Sequence, residues 1–371
     1  MSELVIPVVL MLLFVLGEAL ILRFNSQQAL DWHEVIFNLN SGHIMLWLFR
    51  GFEVLCYSLV FNHFSLNLFA ETSPVWVWCF AILAWDFGFY WLHRLHHRLA
   101  VLWAVHVVHH QGHHYNLSLG VRNSWYSSLT SIPFFIALAW LGVPLTVFLS
   151  VSILHYTLQF LNHISVKPNL GWLEKIFVTP THHRVHHINN RAYSDSNYGG
   201  SFIFWDKLFG TFKVAPEEPY QYGVKGEQPG NNPFIASNLP FWRLWKKGRA
   251  GLVPERQFYA SAWMLVSGAL LLFAVVLGYI QRYGYGYQNV TLAQVALFIL
   301  LACGSVALGG ISQGQRWGVL GWFLLTLTLW GLLVVGQGWN ASFWLVTLSI
   351  LMLHGLSVLC GWGRRGVVDV G

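Results

Sequence analysis

The sequence predicts an all-α, polytopic membrane protein of about nine transmembrane helices with a histidine-rich cytoplasmic cap. Three observations predict it. The 371 residues are 55% hydrophobic and only 10% charged, with mean hydropathy +0.51, whereas a soluble domain carries about 25% charge. Apolar runs of roughly 17–22 residues recur, each long enough to cross a bilayer as a helix. And fourteen of the eighteen histidines lie between His93 and His187, in short clusters at the ends of such runs.

The first apolar run covers 4–22. No positive charge precedes it and no small-residue cleavage site follows, so a retained helix is expected rather than a signal peptide. The next two cover 45–61 and 75–92. A helical hairpin follows, 125–141 and 145–162, turned at Gly142-Val143-Pro144. Residues 164–257 are polar, rich in Pro, Gly and Asn, and too irregular to span. Four more runs close the chain: 259–280, 290–308, 317–335 and 342–362. This divides the chain into an N-terminal helix with an interfacial segment (1–44), a histidine-bearing domain (45–257) and a C-terminal four-helix region (258–371).

The basic residues orient this layout. Arg23, the 94–122 segment, the 164–257 loop, Arg316 and Arg364-Arg365 fall on one side, Arg282 on the other, and Arg50 within a span. The asymmetry predicts the N-terminus outside, the C-terminus inside and all three histidine clusters at the cytoplasmic face. The net charge of +6 is then topology. No basic repeat, zinc-finger spacing or RNA-binding signature points to nucleic acid. The four cysteines sit in apolar stretches without a CxxC pair, which excludes a disulfide framework or thiolate metal site and leaves small buried hydrophobes. Arg50 and Glu53 are spaced i,i+3 to pair inside a span.

Imidazole is neutral at neutral pH and a common metal ligand. On a helix i and i+4 share a face, so His93 and His97 point together. The HxxHH spacing directs His106, His109 and His110 into one volume, and His183, His186 and His187 into another. Eight imidazoles exceed what one ion takes, and two metals about 3.5–6 Å apart would use them all. An all-nitrogen set suits Fe, Zn, Cu or Ni rather than Mg or Ca. His163 is a ninth candidate, and Gln159 one turn before it a tenth, with His155 deeper on the same stripe. His96 and His182 are the odd members of their clusters and are expected to face away. Asp86, on one stripe with His93 and His97, is the best candidate acceptor to fix their tautomers, ahead of Asn162 and Asp195. His33, His43, His63 and His354 stand alone and read as ordinary core or surface residues. Residues 172–178 read as a short interfacial amphipathic helix, and 283–287 as a flexible interfacial turn.

Four stretches, in order, carry a family resemblance: Asp86-Phe87-x-x-Tyr90-Trp91-x-His93-Arg94-x-x-His97, Trp103-Ala104-Val105-His106-x-x-His109-His110, Tyr115-Asn116-Leu117-Ser118, and the run from Thr179-Pro180-Thr181-His182-His183-Arg184-Val185-His186-His187 through Asn197-Tyr198-Gly199-Gly200 to Trp205-Asp206-Lys207-Leu208-Phe209-Gly210-Thr211-Phe212. Over about 45–215 the chain resembles the fatty acid hydroxylase/sterol desaturase superfamily of membrane di-iron enzymes. From Gln159-Phe160-x-x-His163 to Thr211-Phe212 it is most similar to the alkylglycerol monooxygenase-like branch. The resemblance implies two Fe ions, dioxygen as co-substrate, tetrahydrobiopterin as reductant, and hydroxylation of a lipid C–H bond, in that branch the ether-linked carbon of a glyceryl ether. One departure stands out. The branch carries Glu-x-Tyr-Asn where this chain has His113-His114-Tyr115-Asn116. His113 is therefore a candidate substitute ligand or ligand partner, or else the mark of a different reductant or substrate.

A lipid substrate is expected to enter from the bilayer with its head group near the 164–257 cap. The chain has no Gly-rich phosphate loop or Rossmann fingerprint, no haem-b5 domain and no CxxC segment, so electrons are expected from an external donor. A desaturase on the same centre is the alternative within the superfamily. A histidine-rich metal transporter or haem carrier is the alternative of another class. Clusters at span ends rather than mid-membrane count against a transporter, and haem needs only one or two axial histidines. For the C-terminal spans, scaffolding, a lipid entry path and a subunit contact are all open readings.

Overall fold

Helix boundaries follow local chemistry. The structure, a computed structural model, describes residues 2–25, 30–226, 230–246, 255–284 and 290–366. Helix α1 runs Ser2–Asn25. Helix α2, Trp32–Phe64, is opened by the Asp31 carboxylate, which accepts from His33 N at 2.8 Å, the usual N-cap bond. Helix α3, Pro74–Arg98, has proline in its first turn, where a missing N–H leaves nothing unpaired. One extended residue, Leu99 (φ −106°, ψ 121°), separates it from α4, Ala100–His110, which folds back against α3. The five-residue α5, Leu117–Val121, is capped by Asn116.

Helices α6 (Ser127–Leu141) and α7 (Leu145–Leu161) form the expected hairpin. Gly142 closes it at φ +105°, in the left-handed region that favours glycine. Four short helices occupy the polar stretch: α8 (Pro180–His186), α9 (Arg191–Ser194), α10 (Phe204–Leu208) and α11 (Pro233–Trp245). The chain closes with α12 (Ala262–Tyr283), α13 (Leu292–Ser312), α14 (Arg316–Trp330, continued by a π-helical turn Gly331–Gly336) and α15 (Ser342–Leu359). Among the described residues the strands form one antiparallel ribbon, β1 (Phe258–Ala260) with β2 (Arg364–Gly366), beside isolated bridges at Phe177–Phe202 and Ile188–Tyr222.

Among the described residues six stretches are long and apolar enough to cross a membrane: Val5–Phe24, Pro74–Arg98, Ala262–Tyr283, Leu292–Ser312, Arg316–Gly336 and Ser342–Leu359. The other three expected spans are helices of a different kind. α6 and α7 have 15 and 17 residues, and α2 carries Arg50 and Glu53 along its length. Those two side chains pair as their spacing predicts, and Ser131 Oγ donates to Glu53 at 2.6 Å.

Two apolar cores organise the chain. Tyr57, Trp85, Phe135 and Phe148 join α2, α3, α6 and α7. Met264, Leu272, Leu301, Trp322 and Leu351 join the C-terminal helices, with Val35 and Leu39 of α2 in the same core. α2 thus packs on both. His354 accepts from Trp322 Nε1 at 3.0 Å and lies 3.1 Å from Ser267 Oγ, a satisfied core residue as expected.

Other expectations are corrected. The 172–178 segment is not an amphipathic helix but one 3₁₀ turn, Gly171–Lys175. Beyond it the chain is drawn into extended pairing, with Val178 N donating to Ser201 O and Ile203 N to Ile176 O. The cysteines are free, but Cys79, Cys303 and Cys360 are exposed on helix surfaces rather than buried in protein; a small apolar side chain suits a lipid-facing surface as well as a core. The side chain of His43, and the 283–287 turn from residue 285 onward, lie outside the described residues.

Candidate metal centre

Nine imidazoles converge where α3, α4, α7 and α8 end. They form two nests, His93, His97, His106, His110 and His186 in one, and His109, His163, His183 and His187 in the other. Within each nest the nitrogen donors all lie within 4.8 Å of one another. All nine residues expected from the sequence are brought together, but not grouped as expected. The triplets do not each fill one volume. Residues i and i+4 stand about 40° apart around a helix, whereas i+3 lies about 100° from i+4. His106 and His110 therefore turn into the five-histidine nest while His109 turns into the other. On α8 the split is reversed: His183 and His187 enter the four-histidine nest and His186 the five-histidine one.

Backbone carbonyls fix the rings. His93 Nδ1 lies 2.9 Å from Tyr198 O, His109 Nδ1 2.9 Å from Arg122 O, His163 Nδ1 2.8 Å from Gln159 O, and His186 Nδ1 2.7 Å from Ser196 O. A carbonyl only accepts, so these Nδ1 atoms carry the protons and each Nε2 presents a bare lone pair. Yet His109 Nε2 and His163 Nε2 are 3.2 Å apart. Two lone pairs facing each other at that distance repel unless a cation lies between them. His97 Nε2, His183 Nδ1 and His186 Nε2 are buried with no hydrogen-bond partner among the described residues. This donor set fits bound metal. Burial holds His109 down to about 4 and His186 to about 3. Burial, then repulsion between neighbouring imidazoles, holds His106, His110, His163, His183 and His187 well below the ordinary range. All seven are thus neutral donors at neutral pH.

The remaining candidates stand outside both nests. Asp86 does not reach His93 or His97. It lies two turns earlier on α3 and instead accepts from Ser201 N (2.7 Å), Phe202 N (3.1 Å) and Trp205 Nε1 (3.0 Å), with His155 Nδ1 at 3.2 Å. Gln159 orients His163 through its backbone carbonyl, while its side chain donates to Gly200 O. His96 stacks on His106 and reaches Thr130 Oγ1 at 3.0 Å. His182 caps α8 through Thr179; it faces away as expected, whereas His96 lies against a nest ring but turns its Nε2 to Thr130. His113 is exposed, and its backbone N donates to Glu34 Oε1 at 2.8 Å. Asp195 Oδ1 lies 3.4 Å from His97 Nδ1. Asn162 accepts from Tyr115 OH through its carbonyl.

Sequence reasoning passed over several residues. Tyr198, Arg122 and Ser196 act through main-chain oxygens, which no residue type advertises. Glu34 accepts from the 113–114 backbone and from His114. Glu18 accepts from Leu117 N and Ser165 N, and its signal was available: it is the one acid inside the 4–22 apolar run.

Comparison with known proteins finds likenesses over the same region. Residues 78–211 match the fatty acid hydroxylase family. The chain is 42% identical over 176 residues to human alkylglycerol monooxygenase, covering 47% of this chain and 39% of that protein. It is 35% identical over 177 residues to an ornithine lipid hydroxylase of Rhizobium tropici, covering 46% and 52%. It is 29% identical over 143 residues to a Delta(7)-sterol 5(6)-desaturase of Gibberella zeae, covering 36% and 40%. The chain thus spans well under two thirds of the length of these relatives. No solved structure matches it significantly.

Proposed function

We propose that the chain, whose residues 78–211 match the fatty acid hydroxylase family, is a membrane di-iron oxygenase that hydroxylates a lipid C–H bond with dioxygen and an external reductant. The observation that carries this is the pair of buried imidazole nests, in which the lone pairs of His109 and His163 face each other 3.2 Å apart. Nitrogen-only donors at this density suit a first-row transition metal. His93, His97, His106, His110 and His186 would hold one iron, and His109, His163, His183 and His187 the other. When bound, the pair supplies reductive activation of dioxygen, with one oxygen atom entering the substrate C–H bond.

The protein's own part is geometric. The carbonyls of Tyr198, Arg122, Gln159 and Ser196 fix the tautomers and ring planes of His93, His109, His163 and His186, so those four rings are held before a ligand arrives. Burial of the four-histidine nest keeps water from it. The ether-linked carbon of a glyceryl ether is the substrate proposed, on the likeness to proteins named alkylglycerol monooxygenase. Tetrahydrobiopterin is the reductant implied by the sequence resemblance.

For topology we propose nine spans, adding residues 45–61 of α2 together with α6 and α7 to the six long apolar stretches, with the nests at the cytoplasmic face. The basic side chains on that side of the sequence support this orientation. The lipid would enter from the bilayer, and the C-terminal four helices would scaffold α2.

Metal analysis tests the centre: two irons per chain are expected, lost when His109 and His186 become Ala. One haem, or metal retained in that double variant, refutes it. Desaturation is the second reading, favoured by the likeness to a sterol desaturase. The higher identity to hydroxylating relatives favours oxygen insertion. Reaction under ¹⁸O₂ separates them, because label in the lipid requires insertion and label only in water requires desaturation.

A further inference from the structure

Glu18 sits in the apolar run of α1, outside the family-matching residues 78–211. Its two carboxylate oxygens accept from two separate segments: Oε2 from Leu117 N at 2.5 Å and Oε1 from Ser165 N at 2.6 Å. Each segment leads to one imidazole of the four-histidine nest. Leu117 begins α5, and at the other end of α5 the Arg122 carbonyl takes His109 Nδ1. Ser165 lies two residues beyond His163. α5 also lies flat on His163, because a Cβ at Gly120 would stand 3.1 Å from its Nδ1 and 3.2 Å from its Cγ. α5 therefore meets both rings on their outer sides, at Arg122 O for His109 and at Gly120 for His163. One carboxylate pins both the start of α5 and the turn that carries the second ring.

The cost of an ionisable group in an apolar span is offset here by amides that a helix start and a turn leave without partners. Charge-assisted bonds of this kind are roughly twice as strong as neutral ones. We propose that Glu18 is a positioning residue for the four-histidine nest, acting on His109 and His163 through α5 and the 162–165 turn. This rests on reading the nests as metal sites. Glu18 itself touches no imidazole of either nest in this arrangement; it sets the backbone from which two of them are held.

The test uses the full chain in lipid nanodiscs titrated with cobalt(II), whose visible bands distinguish four- from five-coordinate nitrogen sites. The wild-type chain is expected to bind two cobalt ions. Glu18→Ala is expected to weaken the four-histidine nest about tenfold, the lower end of what loss of a ligand's supporting bond costs. The bands of that nest should shift while the five-histidine nest is unchanged. Glu18→Gln, which keeps one acceptor oxygen, should fall between. If Glu18→Ala does not fold, Glu18→Gln decides by the same criteria. Unchanged bands and affinity at the four-histidine nest overturn the proposal, and so does an equal loss at both nests in step with a lower melting temperature, which marks a purely structural role. A wild-type chain that binds no cobalt fails earlier and overturns the metal reading on which this inference rests.

Discussion

Replacing Gly120 with alanine places a methyl group 3.1–3.3 Å from Nδ1, Cγ and Cβ of His163. Two effects oppose each other. Alanine in place of glycine inside a helix stabilises it by up to about 1 kcal/mol. Against that, the new contact must open by a few tenths of an ångström, and overpacking of a well-filled site costs about 1–3 kcal/mol. The ring has little room to retreat. Its Nδ1 is held 2.8 Å from Gln159 O, and its Nε2 lies 3.1–3.2 Å from the Nε2 atoms of His109, His183 and His187. Overpacking therefore wins, and a net loss of about 1 kcal/mol is expected in the metal-free chain. The same displacement should weaken metal binding at the four-histidine nest about tenfold, equivalent to about 1.4 kcal/mol. The assay is competition for zinc(II) against a chromophoric chelator at neutral pH, paired with thermal melting of the metal-free chain. A Gly120→Ala variant that melts higher and binds metal as tightly as wild type refutes the claim that α5 presses on His163.

Three further outcomes are expected. The His114–Glu34 pair should give a pH window of stability. His114 is raised from 6.5, first by its hydrogen bond to Glu34; Glu34 is lowered from 4.5 because, although burial pushes it up, the His114 bond and the Arg122 charge outweigh that. The His114 contribution is full below 6.5 and lost as pH rises through its raised value, and the Glu34 contribution is full above 4.5 and lost as pH falls through its lowered value. The difference between wild type and Glu34→Gln should thus peak between those two values, at about 1 kcal/mol because His114 is partly exposed, and a difference flat in pH counts against the pair. Asp86→Asn should cost about 1–2 kcal/mol by weakening the bonds from Ser201, Phe202 and Trp205 while both nests keep their metal; selective loss of metal from the five-histidine nest would restore Asp86 as a ligand partner. Gly142→Ala should lower stability by about 1–3 kcal/mol, since a φ of +105° excludes most side chains and a Cβ there meets Asn67 Cα at 3.0 Å; an unchanged melting temperature would show that the turn relaxes.

The helices and the nine imidazoles were legible because both are written in side-chain type: apolar length, Gly142 and Pro144 at the hairpin turn, histidines at i,i+4. What escaped the sequence was settled by backbone direction. His109 and His186 leave their triplets because neighbouring residues on a helix diverge, and only the packing of α4 against α8 says which nest each will meet. Asp86 had the right periodicity and the wrong depth, so the carbonyl of Tyr198 stands beside His93 in its place. The Leu99 break follows His96-His97-Arg98 directly, with no glycine or proline to mark it. Residues 172–178 had helical spacing, but pairing with the Ser201–Ile203 backbone supplied a competing set of hydrogen bonds.

Each nest draws its imidazoles from distant parts of the chain: α4 supplies His106, His109 and His110, and neither nest is complete before His183, His186 and His187 of α8. On a ribosome the gap between His110 and His183 corresponds to roughly 4–15 s of synthesis at about 5–20 residues per second. Through that interval His93, His97, His106 and His110 lack only His186, while His109 is the sole member of its own nest to have emerged until His163 follows, and the α6–α7 hairpin is still being inserted. Metal captured then could take His109 in place of His186, the wrong pairing, because His109 and His110 belong to different nests. Correct loading is thus a late event in the life of the chain, governed by when α8 docks rather than by when the first ligands emerge.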